Sequence, residues 1–127
     1  MSRVQYRRLG LAAMALALGA CAENPLVSGQ PKVVEKVPIA PYAIHEDCAD
    51  LAPGDRLDYR FATTEPVAFN IHYHDGNAVV MPISREGATS DAGVFAPLIA
   101  PGYCLMWEAG PNGAVLDYRI ALRRGPR

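Results

Sequence analysis

The sequence predicts an all-β domain, a small antiparallel β-sandwich of about six to eight strands. Three observations lead there. From about His45 onward, short runs alternate apolar and polar residues with the period of two that marks half-buried strands. Gly, Pro, Asn and Asp punctuate those runs at close intervals, as antiparallel turns require. After the first twenty residues no stretch sustains a helical period for longer than a turn. A closed small barrel satisfies the same pattern, and the alternation alone does not separate the two. The chain has 127 residues, enough for one core and no second.

The N-terminus reads as an address. Arg3, Arg7 and Arg8 precede an uncharged run, LGLAAMALALGA, over residues 9–20. A charged start followed by a short apolar stretch is the pattern of a secretory signal. The run is too short to cross a bilayer as a helix, which takes about 20 residues. It ends Leu18-Gly19-Ala20-Cys21, which resembles the bacterial lipobox. That resemblance implies cleavage before Cys21, leaving residues 1–20 as a removed signal peptide, and acylation of Cys21 with palmitate-type chains. Each buried acyl methylene contributes about 0.8 kcal/mol, so two or three chains make a stable membrane anchor. An ordinary signal cut near Ala20 or Ala22 is the alternative. Ala22 stands where an Asp would imply inner-membrane retention, so the expected place is the outer membrane, facing the periplasm. Arg7-Arg8 lacks the flanking residues of a twin-arginine signal and reads as plain positive charge.

Residues 21–44 carry Pro25, Pro31, Pro38 and Pro41. Proline fixes φ and removes a donor, so this segment is expected to be a semi-rigid tether between the lipid and a domain over residues 45–127. Its reach lies between about 25 Å as a coil and about 70 Å if fully extended as polyproline. Alternatively Val33, Val34, Val37 and Ile39 add an edge strand to the domain.

Within the domain, Leu57, Tyr59 and Phe61 alternate with Asp58 and Arg60 up to a break at Thr63-Thr64-Glu65-Pro66. Val67, Phe69, Ile71 and Tyr73 then alternate with Ala68, Asn70, His72 and His74. Asp75-Gly76-Asn77 supplies a hairpin turn into a short apolar strand over residues 78–83. Residues 84–92 are polar and small and read as a loop, followed by a weaker strand over residues 93–98. Tyr103, Leu105 and Trp107 share one face, and Gly110-Pro111-Asn112-Gly113 turns the chain. The last strand sets Leu116, Tyr118, Ile120 and Leu122 against Asp117, Arg119, Ala121 and Arg123.

Charge and cysteine count become informative after the cut. The whole chain has a net charge of −1, but residues 1–20 hold three Arg and no acid, so the remainder carries nine basic against thirteen acidic residues. No basic field is available for a phosphate backbone, which excludes nucleic acid as a partner. With Cys21 lipidated, Cys48 and Cys104 remain, and an exported chain with an even remainder is expected to pair them in a disulfide. Closing a loop of that length restricts the unfolded chain by about 4 kcal/mol in the entropy model. A redox pair or thiolate metal ligands are the other readings, though C-x-x-C spacing is missing.

HEDCADL around Cys48, the strand PVAFNIHYHDG, GYCLMWEAG around Cys104 and the late strand LDYRI together resemble a GOLD-type (Golgi dynamics) β-sandwich. In that family an early cysteine pairs with one in a late strand after Gly-Tyr. The resemblance implies a binding or interaction module without an active site, here for a component of the cell envelope. The family's eukaryotic trafficking role does not carry over to a chain with a bacterial signal.

His72 and His74 fall on the same face of one strand beside Asn70, about 6.5 to 7 Å apart along the backbone. Two imidazoles so placed can converge on copper or zinc, with His45, Glu46, Met81 or Met106 completing the set. The alternative is a polar strand face that carries two histidines without a ligand. Tyr59, Tyr73, Tyr103, Trp107 and Tyr118 lie on apolar faces and read as core, unless one is exposed as a ligand platform. Asp58, Arg60, Asp117 and Arg119 read as cross-strand ion pairs. Ser28, Ser84 and Ser90 lack a G-x-S-x-G context, and no H-E-x-x-H, phosphate-loop or dinucleotide motif is present, so no enzyme is expected. A spatially assembled carboxylate pair is the one catalytic arrangement that sequence spacing does not test.

Overall fold

The computed structural model describes residues 26–126. The expected signal segment, residues 1–20, and Cys21 lie outside the described residues. Six strands follow in order: β1 (Lys32–Ile39), β2 (Ile44–Asp50), β3 (Arg56–Asp75), β4 (Ala78–Phe95), β5 (Gly102–Ala109) and β6 (Ala114–Arg123). All pairings are antiparallel, and among the described residues there is no helix.

The long hairpin of β3 and β4 organises everything else. The first half of β3 pairs with β6 from Arg56↔Arg123 to Thr63↔Leu116, and the second half pairs with β5 from Val67↔Ala109 to His72↔Cys104. The strand therefore leaves one face and enters the other at Thr63-Thr64-Glu65-Pro66, where its register against β4 jumps between Ala62 and Val67. The sequence break is thus a β-bulge inside one strand, the usual device for bending a sheet. Thr63 Oγ1 donates to Glu65 O at 2.7 Å, and Thr64 Oγ1 accepts the Val115 N–H at 2.9 Å, which replaces ladder bonds lost at the bend. One face then reads β1-β6-β3-β4 and the other β2-β5-β3-β4, curled so that their apolar sides meet as a small sandwich.

The core is the set of odd positions that alternation predicts on β3 and β5 and the even ones on β6. Leu57, Tyr59, Phe61, Val67, Phe69 and Ile71 meet Tyr103, Leu105, Trp107, Leu116, Tyr118, Ile120 and Leu122, all buried. Trp107 is its centre, with the rings of Tyr118 at 4.7 Å, Phe69 at 5.5 Å and Phe61 at 5.9 Å between centroids. Its Nε1–H has no hydrogen-bond partner among the described residues. Gly76 takes φ 58° in the two-residue turn joining β3 to β4. A left-handed backbone is cheap there only for residues such as Gly and Asn.

Two expectations need correction. The tether does not run to residue 44, because residues 32–39 form β1 against β6, from Lys32↔Ile120 to Ile39↔Ala114. Pro38 is accommodated because β1 pairs on one side only, so its missing N–H need not face a partner. Lys36 reaches φ 57° at a bulge in this strand and donates its N–H to Asp117 Oδ1 at 2.7 Å. Nor are residues 84–92 a loop: β4 runs unbroken to Phe95 and pairs with β3 throughout its length. Its composition is polar because it borders both faces and buries little besides Phe95.

The chain end is fastened beside the β2–β3 connection. The buried Asp55 carboxylate accepts N–H bonds from Gly125 and Ala52 at 2.9 Å each and pairs with Arg124 at 2.9 Å. The two backbone donors, with Arg124 behind them, hold its pKa down at about 2.

Candidate functional site

Cys48 on β2 stands directly opposite Cys104 on β5, their Cα atoms 4.0 Å apart, and the two form the disulfide. On the other side of β5, Cys104 is opposite His72. One row across three strands therefore reads Cys48, Cys104, His72. The next row reads Glu46, Met106, Asn70. These side chains share the outer side of the sheet because alternation sends the neighbours Tyr103, Leu105 and Trp107 inward.

His72 is 3% exposed and Asn70 4%, although both point away from the core. The His72 Nδ1–H donates to Asn70 Oδ1 at 2.7 Å, which leaves Nε2 as the unprotonated nitrogen. That Nε2 lies 3.8 Å from Glu46 Oε1, beyond hydrogen-bond length. Burial lowers the His72 pKa, against the opposing pull of the Glu46 carboxylate, so the imidazole is neutral at neutral pH. His74 is exposed, and its ring stands edge-on to that of His72 with centroids 5.3 Å apart. The ligand atoms of Glu46, Cys48 and Cys104 all lie within 4.8 Å of one another.

Of the other residues considered as ligands, Met106 is in the row beside His72, and exposed Met81 sits in the β4 bulge opposite it. His45 does not join them. It is next to Glu46 on β2 and so faces inward, with its ring 5.9 Å from Trp107 and 5.6 Å from Tyr118. Around it Tyr118 donates its hydroxyl to Asp47 Oδ2 at 2.7 Å, and Asp47 pairs with Lys32 at 2.7 Å, which clamps β1 and β6 to β2. Burial, then the Asp47 bond, pushes the Tyr118 pKa far up.

The outer side of the opposite face holds a second candidate, a groove of about 640 Å³ whose lining includes Val33, Glu35, Arg60, Asp91, Asp117 and Arg119. The expected ion pairs sort differently from the sequence reading. Asp58 pairs with Arg123 at 3.2 Å, whereas Arg60 stands directly opposite Arg119. Among the described residues neither of these two arginines has a carboxylate within 4.0 Å. Asp91 is engaged by Arg85 and the Tyr59 hydroxyl, and Asp117 by the Lys36 N–H. Like charges directly opposed across a ladder are destabilising, so this pair costs stability as it stands. The aromatic platform finds no place: Tyr59, Tyr103, Trp107 and Tyr118 are buried, and half-buried Tyr73 packs edge-on against Tyr103 at 5.5 Å.

No protein-family model matches the chain, and a search of curated proteins returned no match either. The class that the fold defines is a small all-β sandwich with one cross-strand disulfide, and its function has to be argued from these two surfaces.

Proposed function

We propose that the chain is a bacterial envelope lipoprotein, held in the outer membrane by acyl chains on Cys21 and facing the periplasm, and that its sandwich is a non-catalytic binding module. The Cys48–Cys104 disulfide supports export, since such bonds persist in oxidising compartments. The observation that carries the binding role is the groove with Arg60 opposite Arg119. Two arginines at directly opposed ladder positions can together meet the paired oxygens of a carboxylate or phosphate, and such a group between them offsets their mutual repulsion. The carboxylates of Glu35, Asp91 and Asp117 also line the groove, so the ligand it fits is an envelope component that presents a single paired-oxygen group between the two arginines, and not a polyanion drawn by a basic field. Arg60→Ala with Arg119→Ala leaves folding intact and abolishes cosedimentation of the protein with isolated cell-wall sacculi at low salt. Cosedimentation of the double variant at the level of the parent contradicts the groove assignment.

A second reading is favoured by the Asn70–His72 bond, because metal-binding histidines characteristically donate their other ring N–H to a fixed acceptor. In this reading His72 and His74, with Glu46, bind copper or zinc on the opposite side of the domain. Zinc titration of the disulfide-bonded protein then shows one site, lost in His72→Ala; no binding at micromolar zinc removes this reading.

A further inference from the structure

We propose that Cys48, Cys104, Glu46 and His72 form a zinc site that opens when the disulfide is reduced. The proposal rests on the metal reading of this face and extends it from imidazole and carboxylate ligands to a thiolate set.

Four features carry it. The two cysteines are held opposite each other by the β2–β5 ladder, which runs through seven residue pairs from Ile44↔Glu108 to Asp50↔Gly102 and does not depend on the sulfur bond. After reduction the thiols therefore remain neighbours. On a tetrahedral zinc with bonds of about 2.3 Å the sulfurs sit about 3.8 Å apart, a separation that side-chain rotation supplies. Glu46 is two residues before Cys48 on the same side of β2, with a carboxylate oxygen already within 4.8 Å of both sulfurs. The buried His72 is beside Cys104, with its tautomer set by Asn70 and its Nε2 3.8 Å from Glu46; it lies outside the 4.8 Å group of Glu46 and the two sulfurs, so it completes the set only by moving toward them when zinc enters. Cys48 is exposed, so a reductant reaches the bond from solvent.

The chemistry balances with a dithiol as reductant. One of its thiolates attacks the disulfide and forms a mixed disulfide, and the second displaces the remaining protein thiol. The dithiol is thereby oxidised to a disulfide, and Cys48 and Cys104 are each reduced to a thiol. Zinc then displaces one proton from each thiol, forms two Zn–S bonds, and remains divalent throughout. Two thiolates, a carboxylate and a neutral imidazole complete four-coordinate zinc, the closed arrangement of a structural site.

The test uses the full chain carrying Cys21→Ser, which removes the third thiol from the measurement. Zinc affinity is measured by chelator competition in the oxidised protein, and in protein reduced with dithiothreitol that is then removed without air. Cobalt(II) serves as the spectroscopic probe. The reduced protein should bind one zinc at least about 100-fold tighter than the oxidised form. The cobalt complex should show thiolate-to-metal charge-transfer absorption, and His72→Ala should lose at least about tenfold in affinity. Zinc binding by the oxidised protein that reduction leaves unchanged overturns the inference while the metal reading stands. Absence of binding in both states overturns both. Tight binding in the reduced state that survives His72→Ala overturns the assigned ligand set. Circular dichroism of the reduced protein should show the strand signal retained; its loss overturns the claim that the ladder holds the thiols in place.

Discussion

Trp107→Ala should destabilise the domain by about 4 kcal/mol, within the range seen when a large aromatic is removed from a core. Trp107 is 1% exposed and touches rings from both faces of the sandwich, so no single strand shift fills the space it leaves. Trp107→Phe makes the informative contrast. It keeps an aromatic against Tyr118 and Phe69 and deletes the Nε1–H, which has no partner among the described residues. Burying an unpaired donor costs about 1–3 kcal/mol, and removing it offsets part of the lost packing. Urea denaturation should therefore place Trp107→Phe much nearer the parent than Trp107→Ala. Equal losses for the two variants contradict the role given to the indole N–H.

Removal of the disulfide by Cys48→Ser with Cys104→Ser should cost about 4 kcal/mol, mainly through greater freedom of the unfolded chain. The cysteines are 56 residues apart in sequence, so the bond closes a loop that spans β3 and β4. In the folded state little changes, since β2 keeps its ladder with β5 and its clamp through Asp47 to Lys32 and Tyr118. The expected signature is a large fall in the denaturation midpoint with a cooperative transition retained at room temperature. A non-cooperative, expanded double variant contradicts the view that the ladder and the Asp47 clamp hold β2 without the disulfide.

Much of the fold was legible because burial here is one-sided. Leu57, Tyr59 and Phe61, then Val67, Phe69 and Ile71, and Leu116 through Leu122 show in their alternation which side of each strand is wet. β1 was obscured by Pro38 within it and Pro31 and Pro41 on either side, which argue against a strand in general but not against an edge strand. Residues 84–92 of β4 were obscured by their polarity, since an edge that borders solvent has little apolar pattern to show. Strand register was out of reach of the sequence, and both candidate sites are made by register. Only the pairing of β3 with β6 reveals that Arg60 faces Arg119 rather than an acid. Likewise the pairing of β3, β5 and β2 brings His72 into the row of the disulfide. The local signal for that site was the His72-x-His74 spacing beside Asn70, because residues two apart on a strand share a face; the same geometry lets Asn70 and His72 bond to each other.

The proposed ligand class rests on the opposed arginines, and the proposed place of the protein in the cell rests on Cys21. The most direct measurement is metabolic labelling with palmitate followed by membrane fractionation of the full-length chain and of Cys21→Ser. The account predicts that the parent incorporates label and sediments with outer-membrane material, while Cys21→Ser takes up no label and stays soluble in the periplasm. A Cys21→Ser protein that fractionates as the parent does, or a parent without label, contradicts it.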